Sequence, residues 1–292
     1  MTVSYSTLPI GYFTHAIITG KPMAFSRWGN SEWASVLDWP SPDVDGRPYY
    51  DDHREAMRGI LRRRPQYLLG MQPYAPTHRD HGRFMGEEIE IFLNQPEYSG
   101  LEWVDADVFH NLIRTRAIEP LLYAIHRRPF LMVGNYKHRV LHDFLRYAAF
   151  VEVPWVDAWL AKDRLREEIL HALSPLPGPV VVGFSAGMTA NVLIDELRDT
   201  VGQEHLLIDF GALWDPFAGY VSREYMTPQA EWCVQKSGLS PKTLAAVSSQ
   251  KSANSLSGRR LIRIPLRVPV RRRVRNAYRP GGRSTPPPRT KE

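Results

Sequence analysis

The chain has 292 residues, 43% of them hydrophobic, one cysteine and a formal net charge of +6. That length holds one large or two small domains, with a core big enough to fold without staples. The lone Cys233 excludes an internal disulfide and a cysteine zinc site. No apolar run reaches the roughly 18 residues of a membrane helix, and residues 1–10 lack a secretion signal's basic and apolar regions, so a cytoplasmic protein is expected.

Short apolar or β-branched runs bounded by turn residues predict strands at 22–26, 67–71, 129–133, 150–153, 179–185 and 205–209. Helices are expected at 31–37, 51–63, 83–94, 107–126, 137–147, 157–173 and 188–200. In the last of these, Val192, Leu193 and Leu197 share one face. Strands separated by helices imply crossover connections. The expected fold is α/β, a mostly parallel Rossmann-like sheet with helices on both faces. Open sheets of this kind bind ligands beyond the carboxyl ends of their strands. Residues 27–32, 134–137, 185–189 and 209–215 should therefore share one rim.

This α/β domain is expected to span residues 1–240, followed by a Ser-rich linker at 241–258 and a basic tail at 259–292. The tail carries eleven Arg, one Lys and one Glu, a net of +11, so residues 1–258 carry −5. The basic character belongs to the tail alone. Its Arg, Pro and Gly content cannot bury a core and predicts disorder in isolation.

Chemistry concentrates in four stretches. The first is Phe25-Ser26-Arg27-Trp28-Gly29-Asn30-Ser31-Glu32. Arg27 offers a fork to phosphate. Gly29 lets the backbone approach a ligand. Asn30 and Glu32 could meet one ligand if extended geometry persists to Glu32, and Glu32 suits Mg²⁺ or Mn²⁺ through oxygen. A purely structural alternative has Asn30 or Ser31 capping a helix, with Glu32 favouring its positive end.

The second stretch, Gly183-Phe184-Ser185-Ala186-Gly187-Met188-Thr189, joins a strand to a helix whose exposed N–H groups suit an anion. It also spells the Gly-x-Ser-x-Gly elbow of hydrolases. The only histidine after Ser185 is His205, which precedes Asp209 and Asp215, so the triad order of that class fails. The third stretch, Ile208-Asp209-Phe210-Gly211 with Asp215, places acids at a strand end, where they can bind a hydroxyl or close a turn. In the fourth, Val153-Pro154-Trp155-Val156-Asp157-Ala158-Trp159, Trp155 can stack on a base and Asp157 can cap a helix. His138 and His142, four apart, could share a metal but fit a solvated helix face better.

Taken in order, these stretches resemble the GT-D type glycosyltransferases of bacteria and phages over about residues 20–225. The family's Arg-aromatic-Gly-Asp-Gly-Glu segment falls on Arg27-Trp28-Gly29-Asn30-Ser31-Glu32, with Asn30 where the family has Asp and Ser31 where it has Gly. The resemblance implies sugar transfer from a nucleotide-sugar to a hydroxyl acceptor, helped by Mn²⁺ or Mg²⁺ at Asn30 and Glu32. It gives Glu32, Asp209 and Asp215 as catalytic candidates. Arg27, Gly29, Asn30, Trp155, Ser185, Gly187 and Thr189 become donor-binding candidates. The Arg-rich tail would grip a polyanion without reading its sequence. The expected acceptors therefore include a hydroxymethylated base in phage DNA. The rival expectation is a non-catalytic nucleic-acid-binding protein on a degenerate glycosyltransferase-like domain, which the change to Asn30 favours.

Overall fold

The computed structural model describes residues 5–39, 49–72, 79–80, 83–240 and 243. The expected linker and basic tail lie outside the described residues, apart from residue 243. In chain order the elements begin with β1 (Tyr5–Ser6), α1 (Ile10–Thr19), β2 (Met23–Trp28), α2 (Asn30–Val36), α3 (Asp51–Arg63) and β3 (Leu68–Met71). A small ribbon of β4 (Arg79–Asp80) and β5 (Arg83–Phe84) leads into α4 (Met85–Leu93). Then come β6 (Trp103–Asp105), α5 (Val108–Arg114), α6 (Glu119–Ile125), β7 (Phe130–Gly134), α7 (His142–Leu145), β8 (Ala149–Glu152) and α8 (Lys162–Leu173). The body closes with β9 (Val181–Ser185), α9 (Thr189–Thr200), β10 (Leu206–Asp209) and α10 (Ala230–Ser237).

Eight strands form one sheet in the order β1-β6-β3-β2-β10-β9-β7-β8, every pair parallel. Period-two alternation sorts the strand residues between two cores. Phe130, Met132, Val181, Leu206 and Ile208 pack on one side with Phe13, Phe109, Leu121 and Ile125 from α1, α5 and α6. Leu131, Val133, Val182, Phe184 and Leu207 pack on the other with Leu165, Ile169, Leu193 and Leu197 from α8 and α9. A third cluster of Trp28, Trp33 and Trp103 is enclosed by α2, α3 and α4.

From β2 the chain moves outward through β3 and β6. It then crosses to the far side and returns inward through β9 to β10. The two halves meet where β10 pairs with β2 (Ile208 opposite Phe25). That seam is the crevice where an open α/β sheet binds its ligand.

The six predicted strands all form, with ends shifted by one or two residues. Four differences stand out. The helix expected at 107–126 breaks in two: Arg116 turns left-handed (φ 56°), and Pro120 sits in the first turn of α6, where its missing N–H costs nothing. The helices expected at 137–147 and 157–173 open as 3₁₀ turns, Tyr136–Leu141 and Ala158–Ala161. Residues 83–84 pair as strand rather than starting a helix. α1, unforeseen because its Ile, Thr and Gly are weak helix formers, is closed by left-handed Gly20 (φ 72°).

Candidate functional site

A cleft of about 710 Å³ opens at the carboxyl edge of the sheet, over the β2–β10 seam. All four stretches singled out in the sequence reach it: Arg27, Gly29, Asn30 and Glu32; Trp155 and Asp157; Ser185, Gly187 and Thr189; Asp209 and Asp215.

β2 delivers Arg27 to the cleft floor. Its Nε donates to the Ala106 carbonyl (3.2 Å), and its Nη2 lies 3.2 Å from His110 Nδ1. Burial and the Arg27 charge push His110 down to about 4, so the imidazole is neutral and adds no competing cation at pH 7. From the other side of the sheet, Asn191 on α9 donates its Nδ2 to the Arg27 carbonyl (2.9 Å).

β2 ends at Trp28, Gly29 stands at the N-cap, and α2 starts at Asn30. The extended alternation expected to carry on to Glu32 is therefore not formed. Glu32 Oε2 instead turns back to accept the Gly29 N–H (2.9 Å), satisfying a free donor at the helix start. A Cβ on Gly29 would stand 2.0 Å from Gln72 Oε1, so a side chain here would displace the end of the Gln72 side chain after β3.

Asp209 ends β10 and takes the Gly211 N–H (2.8 Å). Burial raises its pKa to about 7 against the pull of Arg27, and the Glu32 charge adds to the rise. Glu32 is itself raised, chiefly by burial, despite Arg27 and Arg223 nearby. Two carboxyls with raised pKa thus line the cleft together with the Arg27 and Arg223 guanidinium groups.

Asp215 is differently placed. His138 Nε2 (2.8 Å) and the Tyr220 hydroxyl (2.6 Å) donate to its Oδ1, and the Ser222 hydroxyl donates to Oδ2. Asn135 Nδ2 in turn donates to the Tyr220 hydroxyl (2.8 Å). Both oxygens of Asp215 are occupied. His138 is fully buried in this network, while His142 points to Asp143 (3.1 Å), so the two histidines do not share a ligand position. Among the described residues no three His, Cys, Asp or Glu side chains converge on a metal position.

Four buried polar atoms on residues lining the cleft have no partner: Asn30 Oδ1, His53 Nε2, Asp157 Oδ1 and Ser185 Oγ. Asp157 takes a left-handed conformation (φ 56°), and its side chain makes no capping bond, contrary to the cap expected of it. Burial lowers His53 to about 4, leaving a neutral ring stacked on Trp159 (4.2 Å, 5°). The hydrolase reading of Ser185 has no support: its hydroxyl lacks a base, and His205 lies at the other end of β9, accepting the Val180 N–H (3.3 Å).

Six residues at the cleft carry no signal in the sequence: Lys137, His53, His110, Asn191, Tyr220 and Arg223. Most sit on loops or helices with no motif. Lys137 lay on the predicted rim, but nothing in its neighbourhood marked it.

No known protein family matches the sequence, and no curated protein does. Two solved structures do match. One is described as a selenomethionine-substituted structure of domain of unknown function 1792, with a TM-score of 0.51. The other, with a TM-score of 0.52, is described as showing that this highly conserved domain has a distinct glycosyltransferase fold. The chain has this glycosyltransferase fold. Each structure is 16% identical in sequence, and the match covers 72% of this chain and 79% of theirs. At that identity the likeness is one of fold, in line with the GT-D resemblance. No helix among the described residues is long and apolar enough to cross a membrane.

Proposed function

We propose that the chain is a glycosyltransferase that moves a sugar from a nucleotide-sugar donor to a hydroxyl acceptor. One observation carries the reading: Glu32 and Asp209, both with raised pKa, line a cleft together with Arg27 and Arg223 at the seam of a glycosyltransferase-fold sheet. Glycosyl transfer needs positive charge where the diphosphate leaves and a base where the acceptor hydroxyl loses its proton.

Arg27, braced by Ala106, His110 and Asn191, binds the diphosphate without having to reorganise. Gly29 and Gly187 let the protein backbone approach the donor closely, and Thr189 opens α9 beside it. The unpartnered atoms of His53, Asp157 and Ser185 receive sugar hydroxyls, whose desolvation they repay. Asp209, with a pKa of about 7, takes the acceptor proton as the bond from the anomeric carbon to the diphosphate breaks and the bond to the acceptor oxygen forms. Asp215, saturated by three donors, holds Tyr220 and His138 in place rather than accepting a proton.

A divalent metal fits the residues present. Asn30 Oδ1 is a buried oxygen with no partner, and Glu32 is a hard carboxylate whose ionisation a cation would favour. These two would hold Mn²⁺ or Mg²⁺, which supplies charge neutralisation for the leaving diphosphate.

The test is a donor screen. Full-length protein is incubated with a panel of nucleotide-sugars and Mn²⁺ or Mg²⁺, with hydroxymethylated DNA among the acceptors, and nucleoside diphosphate release is measured. Millimolar nucleotide-sugars giving neither heat of binding nor product overturn the reading. They would favour the non-catalytic alternative, which rests on Asn30 and on a tail outside the described residues.

A further inference from the structure

The β7 end of the cleft carries a further cation, in addition to Arg27 and Arg223, that the proposed reaction does not use. Lys137 follows β7, with its backbone N–H fixed by Asn135 Oδ1 (2.9 Å). Its ammonium lies 4.3 Å from the Trp155 ring centre and 4.5 Å from that of Tyr220. Tyr220 is locked by Asn135 and Asp215, so this half of the clamp is rigid. Among the described residues no ion pair or hydrogen bond satisfies the three N–H donors of that ammonium. Burial lowers its pKa against the influence of Asp215, as for a cation short of counter-charge.

The strands β2, β10, β9 and β7 lie side by side, so Lys137 and Arg27 rise from strands about 14 Å apart. A diphosphate seated at Arg27 leaves Lys137 to a different anion.

An apolar rim stands near Lys137: Trp155 and Val221 line the cleft, and Val156 and Leu160 lie exposed on the Trp155 segment. Trp155 (36% exposed), Val156 (54%), Leu160 (64%) and Val221 (41%) make up half of the large exposed apolar side chains among the described residues. They sit on two loops that touch where the Trp155 ring meets Tyr220 (5.8 Å), and Tyr136 extends the platform (6.1 Å from Trp155). Concentration of apolar exposure at one mouth of a cleft marks a binding surface.

We propose that this end of the cleft is the acceptor site and that it takes a phosphate-bearing amphiphile: the phosphate on Lys137, the adjoining apolar chain over Trp155, Val156, Leu160 and Val221. The proposal rests on the glycosyltransferase reading for the word acceptor only. It moves Trp155 from the donor, where the resemblance put it, to the acceptor. A nucleic-acid strand would use Lys137 and Trp155 but gains nothing from Val156, Leu160 and Val221.

The experiment follows tryptophan fluorescence of the full-length protein titrated with dodecyl phosphate below its critical micelle concentration. Dodecyl maltoside, inorganic phosphate and a single-stranded oligonucleotide serve as comparisons. Dodecyl phosphate is expected to bind at least ten-fold more tightly than each comparison. Lys137→Met should weaken it ten-fold or more, and the double variant Val156→Ser/Leu160→Ser several-fold, with melting temperature and nucleotide-sugar affinity unchanged. Inorganic phosphate or the oligonucleotide binding as tightly, or either variant binding dodecyl phosphate as the parent does, overturns the proposal. Loss of nucleotide-sugar binding in Lys137→Met does so too, by placing the lysine in the donor site. Failure of every nucleotide-sugar to bind the parent protein would instead sink the glycosyltransferase reading and leave the amphiphile result standing.

Discussion

Gly211 lies flush against the Arg27 guanidinium: a Cβ on Gly211 would stand 1.7 Å from Arg27 Nη1. Gly211 also has φ 55°, where any side chain is strained. Gly211→Ala is therefore expected to cost about 1–3 kcal/mol of stability and to push Arg27 off its seat. Nucleotide-sugar affinity should fall on the order of ten-fold, as for loss of a charge-assisted contact. Calorimetry on the purified variant checks this, and an unchanged affinity would remove Arg27 from the donor site.

Glu32 has two jobs that one substitution can separate. Gln at this position still offers an oxygen to the Gly29 N–H but carries no charge. Glu32→Gln should keep the parent's melting temperature within a few degrees while transfer drops by at least about 100-fold. Glu32→Ala should lose the same activity and also about 1 kcal/mol of helix-start stability. Equal activity in Glu32→Gln and the parent would leave the residue a capping group only.

Asp209 predicts a pH dependence with a defined sign. Unfolded, its carboxyl titrates near about 4; folded, it titrates at about 7. Between those values the folded chain holds a proton that the unfolded chain has released. Its contribution to stability is present in full below the lower value and is lost as pH rises through the upper one. Asp209→Asn should flatten that fall in thermal melts from pH 4 to pH 8. If the parent protein uses Asp209 as the proposed base, the base form predominates only above the folded pKa, so the transfer rate should climb through pH 7. A rate independent of pH across that window would exclude Asp209 as the base.

Asn30 stands where the resembling family has a carboxylate. Asn30→Asp adds a charge at an oxygen that already lacks a partner. Mn²⁺ should bind about ten-fold more tightly or better, as added ligand charge strengthens hard-cation sites. Titration followed by Mn²⁺ electron paramagnetic resonance reads this directly, and unchanged affinity would put the metal elsewhere.

The sheet was legible because its central strands are continuous apolar runs closed by turn residues, as in Val181–Ser185 and Leu206–Asp209. The shortest strands of that sheet were not: Tyr5–Ser6 and Trp103–Asp105 have too few residues to show a period. The rim was legible by topology. Glu32 was placed in the cleft for a partly wrong reason, since a helix and not a strand turns it there. Lys137, Tyr220 and Arg223 escaped notice because their meaning lies in pairings across 80 or so residues, such as the Tyr220–His138 contact. The separation of Asp209 from Asp215 was also invisible in sequence, because it depends on which donors fold onto each.

The seam joins the first long strand of the sheet to the last, β2 to β10. During synthesis β2 emerges early, yet its second edge stays bare until residues near 209 have left the ribosome. The nascent chain must carry an open β edge from the synthesis of β2 until that of β10, the exposure that invites mispairing and chaperone capture. A chain stopped short of β10 lacks more than one strand: it has half a floor, with Arg27 facing solvent where Asp209 and Gly211 belong.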